Sequence, residues 1–268
     1  MPAIYAHRMF GERVVSGLSR ARFFEIFQYP EAYALGLHGP DLLFYYRPLY
    51  GNDVRRRGEA MHAQSAAPFF TRARHIVRKS DNAAADRAYL YGFACHFCLD
   101  SACHPVVDAL MRRCSLTHAA VETAFDRTLL LDDGIDPVRA DLTGHLRATP
   151  AAAAAAAEIC GMTLSQAEHA IRSMRFYSAL LRAPGLLKRT IVRGALRILR
   201  RGDCLDLMQL PEAPPSYAEA GEALKARFRD AVPEARRLAE DLRAFFAGEA
   251  PLSPRFDGDY NAVGEAGI

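Results

Sequence analysis

Strand signals are nearly absent from this sequence. No alternating run of β-branched residues persists for five positions, and no Asn-Gly or Asp-Gly turn sits between two such runs. A β-sandwich or barrel is thereby excluded. No apolar stretch reaches the length a membrane-spanning helix needs, and the opening Met1 to Arg8 lacks a basic head followed by an apolar run. No secretion signal is therefore expected. Lysine is scarce: only Lys79, Lys188 and Lys225 occur, so arginine carries the positive charge, and the formal net charge is only +3. So small an excess does not call for nucleic acid as a partner. Six cysteines in 268 residues fall short of a disulfide scaffold. They read as reduced, mostly buried small hydrophobes, and the expected compartment is the cytoplasm.

Helical signals fill the space the strands leave. Apolar periodicity predicts helices over 19–27, 58–78, 83–104, 115–131, 137–146, 150–160, 165–181, 186–200 and 216–246. Thr163 sits at a capping position, and Pro137, Pro150 and Pro184 lie near helix starts. The alanine run 151–157 favours a helix over a linker. The expected architecture is all-α. A single domain over 1–268 is expected, with a metal-site core in 1–126 and C-terminal helices in 137–247 packing on it.

One stretch concentrates chemistry. His96, Asp100 and His104 fall at i, i+4 and i+8, followed by His118 and Glu122. Residues four apart drift only about 40° around a helix, so each His–carboxylate pair shares a face and can close on one ion. His104 lies about 6 Å along the axis from Asp100, far enough to serve a second ion. Imidazole mixed with carboxylate suits zinc better than calcium or magnesium. Scattered helix histidines beside surface acids are the plain alternative. Cys103 falls near the His96 face, and Asp126 continues the His118/Glu122 face, where it could orient a histidine or simply sit on the surface. Upstream, Asp41 follows His38-Gly39-Pro40, His62 follows Met61, and His7 stands among small and apolar residues. None of these three would be singled out alone.

Taken in order, His7, Gly39-Pro40-Asp41, Met61-His62, His96-x3-Asp100-x3-His104-Pro105 and His118-x3-Glu122 resemble the zinc-dependent phospholipase C family. The resemblance spans residues 1 to about 126. It implies an all-α multi-helix bundle with clustered zinc between helices, of the kind shared with three-zinc single-strand nucleases. It implies that His62, His96 and Asp100 hold one zinc ion and that His104, His118 and Glu122 hold a second. It further implies that Asp100 bridges to a third ion held also by His7 and the chain's amino terminus, with Asp41 activating or orienting the attacking water. Secreted members use an N-terminal tryptophan as a ligand and a longer aspartate-to-histidine spacing. This chain has no tryptophan, and its compact x3 spacing is similar to that of intracellular members. Two ions are expected, and the third stays open, with Pro2 as the terminus if Met1 is removed.

The function so implied is zinc-dependent phosphodiester hydrolysis, with a phosphoester substrate of which a phospholipid is one candidate. A nuclease or nucleotide phosphatase using the same cluster, and a non-catalytic zinc-stabilised scaffold, are the alternatives. From Arg182 to Arg201 there are seven cations and no acid, with apolar residues interleaved at helical spacing. Residues 186–201 read either as a core-facing helix with an arginine-rich outer side or as a helix that lies on an anionic membrane surface. Nucleic acid could use the same cations, but no aromatic ladder accompanies them. No protein partner is inferable. The polar segment 255–260 has no assigned role.

Overall fold

The computed structural model describes residues 3–261. The amino terminus and Pro2, raised above as ligands for a third ion, lie outside the described residues. The described chain is all-α, with no strand among its described residues. Eleven α-helices are described: α1 (Ile4–Val15), α2 (Phe24–Gln28), α3 (Pro30–Gly36), α4 (Asp53–His62), α5 (Ala67–Val77), α6 (Ala83–Cys114), α7 (His118–Asp132), α8 (Pro150–Cys160), α9 (Leu164–Leu181), α10 (Leu186–Ile198) and α11 (Pro215–Ala247). Short 3-10 turns occupy Gly39–Tyr45, Gly202–Leu207 and Pro254–Asp257.

Helix α6 is the axis of the bundle. It is apolar nearly all round through Cys103, and a helix with no polar face must be covered on every side. Helices α1, α2, α3, α7, α8 and α11 supply that cover. Tyr89, Tyr91, Phe93 and Phe97 are fully buried along it. The approach of α3 is closest where two glycines meet it: a Cβ on Gly36 would come within 2.0 Å of the Tyr89 carbonyl, and one on Gly92 within 2.2 Å of the Tyr33 carbonyl. Only residues without a side chain let these backbones touch.

Several boundaries differ from the sequence expectation. The 58–78 helix is two helices, broken where Ser65 accepts from Ala67 N and Pro68 opens α5. Helix α6 does not stop at His104. It continues through Pro105 to Cys114, and burial of Val107 and Leu110 offsets the missing backbone donor, worth about 3 kcal/mol in an unsupported helix. Ser115 then turns left-handed at φ 51°, and Thr117 caps α7, so the helix that carries His118 and Glu122 begins at His118. No helix forms over 137–146: the Asp136 carboxylate accepts from Val138 N and the Asp141 carboxylate from Thr143 N, side-chain bonds that compete with helical ones. Helices α1 and α3 were not expected. The capping box at Thr163 and Gln166 is present.

The 186–200 region is helical, but its apolar residues do not face the core. Only Val192 is buried, in a small satellite cluster with Ala183 and Met208 that is separate from the main core.

Candidate metal centre

The eight residues singled out above converge on the middle of α6. His7 comes from α1, Asp41 from the Gly39–Tyr45 turn, His62 from the last position of α4, and His118 and Glu122 from the start of α7. His96, Asp100 and His104 come from α6 itself. Six of the eight are buried, and His62 and His118 are half-buried.

Three triads have donor atoms within 4.8 Å of one another: His7/His96/Asp100, Asp41/His62/His96 and His104/His118/Glu122. Asp100 is the hub of the first. Its Oδ1 lies 3.2 Å from His7 Nε2 and its Oδ2 lies 3.0 Å from His96 Nε2 and 3.8 Å from His62 Nε2. His62 sits closer to Asp41 than to Asp100, with Nε2 3.2 Å from Asp41 Oδ1. Asp41 Oδ2 in turn lies 3.9 Å from His96 Nε2. In the third triad His118 Nε2 is 3.1 Å from Glu122 Oε1, and the His104 and His118 rings stand 5.3 Å apart. Asp41 therefore stands among the donors, facing two imidazoles, as well as at the turn where a base was expected.

The imidazoles are oriented for ligation. His62 Nδ1 meets the Gly58 carbonyl at 2.8 Å, His96 Nδ1 the Leu37 carbonyl at 3.3 Å, and His104 Nδ1 the Tyr260 carbonyl at 2.7 Å. A carbonyl can only accept, so in each ring Nδ1 carries a proton and Nε2 is the atom turned to the cluster. This donor set, neutral imidazole Nε2 atoms among carboxylates in a buried site, fits zinc.

The buried imidazoles and carboxylates shift one another's protonation. Burial alone would raise the Asp41 carboxyl, but His96 and His62 beside it hold it well below the usual range. Burial would lower His62, yet the Asp41 carboxylate outweighs that and raises it to about 9. His7 is likewise raised against its burial by Asp100. His96, fully enclosed, goes the other way: desolvation lowers it despite Asp100.

Several supporting residues were not legible. Asp126 is neither a surface acid nor a histidine partner. It is buried, and its carboxylate accepts from Tyr5 N at 3.1 Å and Ala6 N at 2.8 Å, capping the helix that carries His7. His38 and His145 pair Nε2 to Nε2 at 2.9 Å beside His7. Burial keeps both neutral. The unassigned 255–260 segment folds back under the site: Tyr260 supplies its carbonyl to His104, and Asn261 Nδ2 donates to the His62 carbonyl. Gly39, at φ 44°, lies against His96, where a Cβ would come within 2.5 Å of the ring.

The all-α bundle brings together three His–carboxylate triads that could each hold a metal ion. The sequence profile of the family described as Zinc dependent phospholipase C matches residues 6–174, and the chain belongs to that family. The match runs past Asp126, where the motif resemblance ends, into α9. No curated protein and no solved structure matches the chain.

Proposed function

We propose that the protein is a zinc-dependent phosphodiester hydrolase of the phospholipase C kind. The observation that carries the reading is the convergence of three largely buried His–carboxylate triads on α6, with imidazole Nε2 atoms turned inward by backbone carbonyls. His62, His96 and Asp100 would hold one ion and His104, His118 and Glu122 a second. His7, 3.2 Å from Asp100, would serve a third. Zinc bound there would supply Lewis acidity toward the phosphoryl oxygens and a lowered pKa for an adjacent water.

The chain's own residues set the rest. Asp41, ionised at neutral pH, accepts a hydrogen bond from the attacking water and takes its proton as the water oxygen bonds to phosphorus and the P–O bond to the leaving alcohol breaks, the departing oxygen taking a proton from solvent. The Gly39–Tyr45 turn fixes its position, because Gly39 lies against the His96 ring and Asp41 N bonds the His38 carbonyl at 2.9 Å. Burial of the donors limits water to the site's open side, where His118 is the most exposed of the eight. The family description supports a phospholipid as substrate. The six free thiols support a reducing, cytoplasmic location.

A matched screen tests the reading: a phosphatidylcholine analogue, a single-stranded oligonucleotide and 3′-nucleotides, with wild type beside Asp41→Asn. Turnover of the lipid analogue, lost about 10²–10⁴-fold in Asp41→Asn with zinc retained, is the expected result. A zinc count that falls in Asp41→Asn would make Asp41 a ligand. Turnover of the oligonucleotide alone would make the protein a nuclease. No turnover with zinc-dependent melting would make it a scaffold.

A further inference from the structure

Helix α10 presents its hydrophobic residues to solvent. Leu186, Leu187, Ile191 and Ile198 are 77, 75, 60 and 83% exposed. An isolated exposed leucine needs no explanation, but four on one thirteen-residue helix form a patch. On a wheel of 100° per residue, Leu187, Ile191 and Ile198 fall within about 40° of one another. Arg193 and Arg197 form a second row, some 120° around the helix from the first, and Arg200 follows just past the helix end; all three are exposed. The buried side is narrow and consists of Val192, with Leu196 partly buried beside it. The outward surface thus joins an apolar row to a cationic row, and no acidic residue occurs between Arg182 and Arg201.

Two cations on the helix are already used: Lys188 Nζ donates to the Ala179 and Arg182 carbonyls, and Arg189 to the Ala183 carbonyl. They tie the helix down at its start. The side chains of Arg193, Arg197 and Arg200 have no hydrogen-bond or ion-pair partner among the described residues.

The segment that follows α10 is anchored at the metal centre. Asp206 Oδ2 accepts from Thr117 Oγ1 at 2.7 Å, at the cap immediately before His118. Gln209 Nε2 donates to the Thr123 carbonyl one residue beyond Glu122. Arg201 reaches the Pro48 carbonyl, next to exposed Leu49 and Tyr50, on the loop that leaves the Asp41 turn. The segment after α10 thus packs on α7, the helix that carries His118 and Glu122.

We propose that α10 is an interfacial helix that docks the protein on anionic phospholipid bilayers, its apolar row entering the acyl boundary and its arginines meeting lipid phosphates. Charge complementarity selects this occupant: a second copy of the chain would set arginine against arginine, whereas an anionic bilayer supplies both an apolar layer and phosphate at matching depth. The inference stands on the geometry of α10 and does not depend on turnover.

The test is vesicle flotation of the full-length, zinc-loaded protein. Phosphatidylcholine vesicles are compared with mixed phosphatidylcholine–phosphatidylglycerol vesicles, at low and high salt. Arg193→Gln/Arg197→Gln/Arg200→Gln and Leu187→Ser/Ile191→Ser/Ile198→Ser are run beside wild type, with unchanged zinc content and melting as the fold control. Wild type is expected to float with the anionic vesicles and to release with salt. The arginine variant is expected to bind about 100-fold more weakly, at roughly fivefold per cation, and the serine variant about tenfold or more. Absence of wild-type flotation, or flotation unchanged in both variants, would overturn the proposal. So would tighter binding to a single-stranded oligonucleotide, or a wild-type dimer in light scattering that the serine variant makes monomeric. Because binding is read without catalysis, failure here leaves the hydrolase reading standing, and the converse also holds.

Discussion

His104 Nδ1 donates to the backbone carbonyl of Tyr260 at 2.7 Å, across 156 residues of chain. A metal-ligand candidate on the central helix is thus oriented by the last turn of the described chain. That turn is pinned by Phe256, fully buried against Phe70 and Phe97, and by Arg255, which bonds Glu234 and Ser101.

Phe256→Ala should therefore act at a distance. Truncating a buried phenylalanine costs about 3–5 kcal/mol. Loosening the Tyr260 carbonyl should also weaken zinc at the His104/His118/Glu122 triad by about 10–100-fold. Denaturant melts and chelator competition read the two effects separately. A stability loss with unchanged zinc affinity would remove the role assigned to Tyr260.

Asp126→Ala removes two acceptors from the start of α1, the helix that carries His7. The expected cost is about 1–2 kcal/mol, as for other helix caps. The ion nearest His7 should be lost first, seen as a lower zinc count with the other sites still filled.

Gly39→Ala combines an unfavourable left-handed backbone, φ 44°, with a Cβ 2.5 Å from the His96 ring. Strain and displacement together should cost about 1–3 kcal/mol and move His96 off both of its triads. Loss of one or more zinc ions per chain is the expected readout, against a retained helical circular-dichroism spectrum.

In the zinc-free protein, pH dependence follows from His62, raised from 6.5 to about 9 by Asp41. Its folded-state value is raised, so the stability from this pair is fully present below about pH 6.5 and is lost as pH rises through about 9. Zinc must displace the same proton. Its affinity should therefore climb by up to about tenfold per pH unit between pH 7 and 9 and then flatten. Chelator competition at three pH values measures the slope, and a flat profile would show that His62 is neutral before zinc arrives.

Which parts of this site the sequence revealed depends on how local their causes are. The spacings His96/Asp100 and His118/Glu122 are properties of one helix turn, so periodicity alone placed each pair on a face. His7, Asp41 and His62 come from three other elements, and only their order in a family pattern connected them to α6. The Tyr260 carbonyl carries no side-chain signature at all, and the His38–His145 pair joins two loops 107 residues apart. Asp126 was visible at helical spacing from Glu122, but its partners are backbone N–H groups of a helix that periodicity did not find. Among the helices, Pro105 reads as a stop by local rules and is overridden by packing, whereas 137–146 reads as a helix and is undone by Asp136 and Asp141. The arginines of α10 were plain in the sequence, but the side its leucines face was not, because an amphipathic period does not say which side is covered.

The most direct test of the central claim is zinc stoichiometry by elemental analysis of untagged protein, wild type beside His118→Ala. Two or three ions per wild-type chain and a lower count in the variant are expected, because His118 closes one of the three triads. No zinc in the wild type, or the same count in both proteins, would contradict the claim.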